Sequence, residues 1–352
     1  MAGKIPKSFR KPPLGWGIRA VLVLFGILAV FVILLVSCHK RSPAISVQLW
    51  GVTFAPNSQS VIAYGGDSGV SRPPTPGELI FWDMATGKKH VLRQLGSVRS
   101  AAWSPDGKFV AIGDFAGLAK LVSLGENNVV QSLSPPSTAV NAVAISADGS
   151  LIAGATLDGT IDLWDNSGKE QHLFTAPNEK FLDVAISPDQ SIMIGTTQSG
   201  KAIVFSLKDQ GDPVTLQTSE GSATGDSAAE CVAFAPDGLS FATGALRTLR
   251  IWETRTGAIK QEIVATARFY KVAFSPDGKT VATVLDDGRL ALWNPETGQV
   301  INSIQAHPNE AFGLSFAPDG KRIATVSRND FTIKIWDAVT LELKASLRTS
   351  NT

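Results

Sequence analysis

The chain has 352 residues, with 32 Lys/Arg against 31 Asp/Glu, 44% hydrophobic residues and two cysteines. The balance conceals a split: residues 1–41 hold seven Lys/Arg and no Asp/Glu, leaving 25 basic against 31 acidic groups, a formal charge of −6, over the rest. A mildly acidic main body lacks the basic footprint that phosphate-backbone binding needs, which excludes nucleic acid as the expected partner.

Residues 1–19 form a basic tail carrying Lys4, Lys7, Arg10, Lys11 and Arg19. Residues 20–38, AVLVLFGILAVFVILLVSC, are 19 residues without a charge, long enough to span a bilayer as one helix. Only Lys40 and Arg41 follow closely, so the charge bias predicts a cytoplasmic N-terminus and an exported body, periplasmic or at the cell surface. Leu35-Val36-Ser37-Cys38 resembles the lipobox of bacterial lipoproteins, where the cysteine is lipidated after cleavage. The long basic leader, and an apolar run exceeding the usual signal core of roughly 7–15 residues, favour an uncleaved anchor instead. Either reading puts the body on the same side. Residues 39–47 are a linker.

From residue 48 to 348 one unit recurs seven times. An apolar-small-apolar strand runs into a tight turn at VTFAPN (52–57), AAWSPDG (101–107), VAISADG (143–149), VAISPDQ (184–190), VAFAPDG (232–238), VAFSPDG (272–278) and LSFAPDG (314–320). The third turn residue steps along the chain by 49, 42, 41, 48, 40 and 42 residues. A second apolar strand follows, then a third ending in an aromatic at Trp82, Trp164, Phe205, Trp252, Trp293 and Trp336; the second copy has Val122 there. A turn and a fourth strand complete each copy. Period-two alternation gives half-buried strands, and Pro-Asp-Gly gives tight turns. A lone four-stranded sheet cannot bury both faces, whereas seven around an axis can. The predicted fold is therefore all-β, a seven-bladed propeller, with the large aromatics filling the gaps between blades. Cys231, within CVAFAP, reads as a small core residue.

These repeats resemble the WD40 family. Trp-Asp stands at 82–83, 164–165 and 336–337, and Asp330-Phe331-Thr332-Ile333-Lys334-Ile335-Trp336 is similar to the family pattern D-x-T-I-R-L-W. Asp158 and Asp287 fall at the same acidic position. His307 is the only histidine at the family's inter-blade loop position, so the resemblance implies that most blades lack the bracing His–Ser/Thr–Asp–Trp network. It also implies a top face built from the loops that enter each first strand and those joining second to third strands. Two Gly/Ser/Pro-rich insertions, 65–78 and 218–230, fall on that face.

Two residues before the first apolar residue of each first strand stand Trp50, Arg99, Asn141, Leu182, Glu230, Tyr270 and Phe312. The resemblance places these around the mouth of the central channel. Tyr270, Phe312 and Trp50 belong to blades six, seven and one, adjacent once the ring closes, with Arg268 and Glu310 beside them. Exposed aromatics with arginine are common binding hot spots. The expected partner-binding set is therefore Trp50, Arg99, Arg268, Tyr270 and Phe312. The alternative is that the aromatics merely cap the channel.

Catalysis needs a converging acid/base pair, an activated nucleophile or a metal. The four histidines, at 39, 90, 172 and 307, show no metal-ligand spacing. Asp106, Asp148, Asp189, Asp237, Asp277 and Asp319 sit in turns spread around the bottom of the ring. Only Glu230 with Glu310 or Asp183 lies near the channel. The expected function is a membrane-anchored scaffold that binds a protein through its top face, not an enzyme, with no cofactor or metal. A propeller hydrolase and an intracellular signalling scaffold of reversed topology are the alternatives. The topology is open to test: a reporter fused after Thr352 is expected to be active only outside the cytoplasm, and cytoplasmic activity would reverse the orientation.

Overall fold

Alternating apolar positions put one face of each short strand against each neighbouring sheet. The computed structural model describes residues 48–66, 77–124, 130–133, 138–209, 211–218 and 228–349. The basic tail, residues 20–38 with Cys38, residues 39–47 and most of both insertions lie outside the described residues. Among the described residues no helix is long and apolar enough to cross a membrane.

Among the described residues twenty-eight strands form seven four-stranded antiparallel sheets, each built from four consecutive strands. The innermost strands are Leu49–Phe54, Val98–Trp103, Val140–Ile145, Phe181–Ile186, Ala229–Phe234, Phe269–Phe274 and Gly313–Phe316. Each packs beside the innermost strand of the next blade, and that of blade seven packs beside that of blade one, so the ring is closed. The seven-bladed expectation is met.

The core is seven clusters, each shared by two neighbouring blades. Between blades four and five, Ile194 and Ala202 meet Val232, Phe241 and Trp252, whose ring stacks on Phe241 at 5.9 Å. Trp164, Phe205 and Trp336 are buried in the same way, each against the preceding blade. Trp82 and Trp293 pack at their interfaces but remain half-buried, so Trp293 is less of a core residue than the repeat pattern suggests. Where blade two has Val122 in place of the aromatic, Trp103 on its first strand fills the gap. It meets Phe81 of blade one edge to face at 6.3 Å.

The turns at the bottom are stacked as well. Ser104 Oγ donates to Asp106 Oδ1 at 2.7 Å, and that oxygen accepts the Lys108 N–H at 3.0 Å. Ser146/Asp148, Ser187/Asp189 and Ser275/Asp277 repeat the arrangement. Gly107, at φ 71°, takes the left-handed position that closes the turn and faces Pro56 of the preceding blade. Blade one has Ser58 there, at φ 59°. Its Oγ accepts the Asp319 N–H at 3.0 Å and its carbonyl accepts Arg322 Nη2 at 2.6 Å, both across the junction with blade seven.

That junction, the seam of the ring, shares no strand. Blade seven has its own outer strand, Leu343–Arg348, so among the described residues no second segment completes its sheet. The seam is held by an apolar cluster joining Phe54, Val61 and Ile80 to Ala324, Ile333 and Ile335. Phe54 N–H donates to Ser315 Oγ at 3.2 Å, and Lys89 Nζ to the Thr349 carbonyl at 3.0 Å.

Two stability measurements follow from this packing. Trp252→Ala is expected to cost roughly 3–5 kcal/mol in chemical denaturation, the range for buried aromatic truncations, and Trp293→Ala less; under about 1 kcal/mol for Trp252 would contradict blade-to-blade packing as the main support.

The second is acid sensitivity. The Lys108 N–H and the Ser104 hydroxyl hold the Asp106 carboxyl down to about 2, and the hydroxyls of Ser191 and Ser187 hold Asp189 down to about 2. Asp148 and Asp277 are lowered by the same kind of bonds. A carboxyl lowered in the folded state stabilises it fully above the unfolded value of about 3.9, and that stability is lost as pH falls toward about 2. Asp162 acts oppositely: burial, then Glu170 and Asp158, push it up to about 6, so its ionisation removes stability as pH rises from about 4 to 6. Folding stability is therefore expected to fall on both sides of about pH 4–5. Replacing the four turn aspartates by Asn should flatten only the acid limb, and an unchanged acid limb would refute the assignment.

Candidate partner-binding rim

Six of the seven first strands begin with a break in their pairing; that of blade seven runs in unbroken register from Gly313. Register shifts separate Leu49 from Gly51, Val98 from Ser100, Phe181 from Asp183, Ala229 from Cys231 and Phe269 from Lys271. In blade three the pairing passes from Val140 to Ala142 in the same way. The skipped residues are Trp50, Arg99, Leu182, Glu230, Tyr270 and Asn141, and Phe312 directly precedes its strand. A bulge re-aims a side chain out of the regular alternation. All seven line the mouth of a central cavity of about 310 Å³, and all seven are half-buried.

On one sector they touch. Tyr270 stacks on Phe312 with ring centroids 4.5 Å apart, and Phe312 meets Trp50 edge to face at 5.7 Å. Trp50 Nε1 is anchored on the Gly66 carbonyl at 3.0 Å. Arg99 lies over Trp50 at 4.2 Å and donates from Nε and Nη2 to Asn141 Oδ1, both at 3.3 Å. Asn141 passes the chain on to the Leu182 carbonyl at 2.9 Å. Arg268 stands further round, paired with Glu230 at 3.3 Å. Burial pushes the Tyr270 hydroxyl up to about 12, with Glu310 and Asp286 adding to it. Burial also lowers the Arg99 guanidinium; nearby Arg328 adds to this and Glu230 opposes it.

Arg328 was not foreseen. It stands in the loop between the second and third strands of blade seven, with its guanidinium 5.1 Å from the Trp50 ring centroid and 5.4 Å from that of Phe312. Phe115, in the matching loop of blade two, is exposed and lies 5.8 Å from Arg99. Both residues sit in second-to-third-strand loops, which belong to the face that the repeats single out; the sequence gives them that face but not the direction of their side chains.

One layer below the rim, Lys271 of blade six spans blade five to reach Asp183 of blade four at 2.6 Å. Asp183 also accepts the Val184 and Val232 N–H groups at 3.0 and 3.2 Å. Burial lowers the Lys271 amine, but Asp183 and then Tyr64 outweigh it and hold the amine above its ordinary value. Tyr64 enters the channel opposite Gly51, its partner across the strand pair. A Cβ on Gly51 would lie 2.1 Å from the Tyr64 hydroxyl oxygen, and one on Gly313 would lie 2.6 Å from Gly51 Cα. Cys231 is fully buried and its thiol is pushed up to about 12 by burial, which suits a core residue. The carboxylates near the mouth do not converge: Asp183 is held by Lys271, Glu230 by Arg268, and Glu310 accepts Asn329 Nδ2 at 3.4 Å. Among the described residues no group of three or more His, Cys, Asp or Glu is placed to hold a metal.

Blade seven carries a complete polar brace. Trp336 Nε1–H donates to Thr325 Oγ1 at 2.8 Å, and that hydroxyl lies 2.8 Å from His307 Nε2. His307 Nδ1 lies 2.8 Å from Asp330, whose other oxygen accepts Thr332. Every partner is satisfied when the neutral imidazole carries its proton on Nδ1. Blades five and six keep only the inner leg, Trp252 to Thr243 and Trp293 to Thr283, each at 2.9 Å.

Seven four-stranded blades, a side-chain ring at the channel mouth and this Trp–Thr–His–Asp brace define a WD-repeat propeller. The chain belongs to the WD40 family: the WD domain, G-beta repeat, matches residues 88–122, 127–165, 215–253, 264–294 and 298–337. It is similar to periodic tryptophan protein 2 of Arabidopsis thaliana, at 26% identity over 67% of this chain and 26% of that protein. Autophagy-related protein 16 of the same plant is 27% identical over 57% of this chain and 39% of its own length. An uncharacterized WD repeat-containing protein of Synechocystis sp. is 26% identical over 53% of each. The chain thus spans well under two thirds of each of these relatives.

Proposed function

We propose that the protein is a membrane-anchored scaffold that binds a protein partner through the top face of its propeller, with residues 20–38 as the anchor and the propeller on the extracytoplasmic side. The observation that carries the binding site is the aromatic sector of the rim. Trp50, Tyr270 and Phe312 come from three blades, are half-buried and are in ring-to-ring contact. Rings already packed on one another offer a preorganised apolar surface, which lowers the ordering cost of binding. WD-repeat proteins as relatives support the scaffold reading. The uncharged run and the basic tail support the anchor, as argued from the charge bias. Ten residues, 39–48, or at most about 36 Å of extended chain, separate the uncharged run from the first strand, which makes a short tether.

Replacing Trp50, Tyr270 and Phe312 together by Ala is expected to leave the protein level normal and to abolish recovery of crosslinked partners from intact membranes. Truncations of such hot spots cost about 2 kcal/mol or more each. Unchanged recovery would remove this patch as the binding site. A large fall in melting temperature would instead mark the aromatics as a channel plug.

A further inference from the structure

We infer that the rim receives an acidic side chain from an extended segment of the protein partner, held between Arg99 and Arg328 beside Trp50; this rests on the top face being the partner surface. The two guanidiniums come from blades two and seven and both lie against the blade-one indole, at 4.2 and 5.1 Å from its ring centroid. Neither has a carboxylate partner among the described residues. Among the described residues Arg99 hydrogen-bonds only to Asn141, and the Arg328 side chain makes no hydrogen bond, its Nε being buried without an acceptor. The other cations near the mouth are neutralised, Arg268 by Glu230 and Lys271 by Asp183. Two like charges beside one ring repel, and Arg328 helps lower the proton affinity of Arg99. An anion between them relieves that repulsion. A guanidinium lying over an aromatic face keeps N–H edges free for a carboxylate.

Charge selects the occupant. A cationic side chain would meet the like charges of Arg99 and Arg328 beside Trp50. A polyanion would meet a body of net charge −6 in which this pair is an isolated positive spot. A single Asp or Glu, with an apolar neighbour resting on Phe312 and Tyr270, fits both the charge and the aromatic floor. The cavity below, about 310 Å³, has room for a side chain rather than a domain.

The test uses the full chain in detergent and a displayed library of random twelve-residue peptides, with selected peptides then measured singly as fluorescent probes. Enriched peptides are expected to share a fixed Asp or Glu next to an apolar residue. Changing that residue to Asn or Gln should weaken binding at least tenfold. Arg328→Gln and Arg99→Gln should do the same, and in the double variant the peptide change should no longer matter. Arg328→Lys, which keeps the charge and loses the fork, is read alongside by thermal melting and should restore part of the affinity. Peptides lacking an acidic residue, peptides with a fixed Lys or Arg, or affinities indifferent to both arginine variants would overturn the inference. If such peptides are still lost in the Trp50/Tyr270/Phe312 triple variant, the top-face reading stands and only the acidic preference falls. Peptides indifferent to both sets of variants, or no enrichment at all, would overturn both.

Discussion

A four-stranded sheet with two apolar faces has no stable existence alone, and everything in this propeller follows from how that need is met. Each blade buries one face against its predecessor and the other against its successor, so the core is divided among seven interfaces and has no single centre. The aromatic at the end of the third strand, present in six of the seven blades, is the largest piece of the joint. Blade two shows that the joint matters more than the pattern: with Val122 in the aromatic's place, Trp103 enters the interface from a different strand. The Pro-Asp-Gly turns repeat the same logic at the bottom, where glycine meets the preceding blade's proline.

Because the interfaces fix the inner strands side by side, the residues at their entrances are fixed in a ring. The register shifts there do the rest. Alternation alone would commit each rim residue to one face of its sheet, inside a blade interface. The bulge releases it to the channel mouth, where an aromatic remains half-buried and in contact with its neighbours. The rim is thus rigid because the scaffold is rigid, while its chemistry varies freely from blade to blade, from Leu182 to Glu230 to Trp50.

The fold was legible because it is written seven times. A single copy such as VAFSPDG is compatible with many hairpins, but seven at steps of 40 to 49 residues leave few architectures. The rim was legible for the same reason, since a constant offset from the strand start names one residue per blade. Features that break the repeat were not. Tyr64 enters the channel because Gly51 leaves room for its ring, while Gly313 lets blade seven approach Gly51 itself, a fit that joins residues from two ends of the repeat array. The Lys271–Asp183 pair skips a blade, and no nearest-neighbour reading of repeats anticipates it. Arg328 belongs to a loop, where spacing carries no information about direction. The half-burial of Trp293 likewise depends on what its neighbours leave uncovered, which the strand pattern does not encode.

Among the described residues the junction of blades seven and one is closed by side chains and two loop contacts, with no strand donated across it. In a ring sealed by a borrowed strand, parting the ends tears a sheet. Here the ring can gape like a split washer while every backbone ladder stays intact. Opening at this point exposes apolar surface and breaks a few side-chain bonds, so amide protons deep within blades one and seven would keep their protection while those of Phe54 and Asp319 exchange. Phe312 and Trp50 face each other across that same junction, so whatever spans them at the mouth also acts as a clasp on the ring.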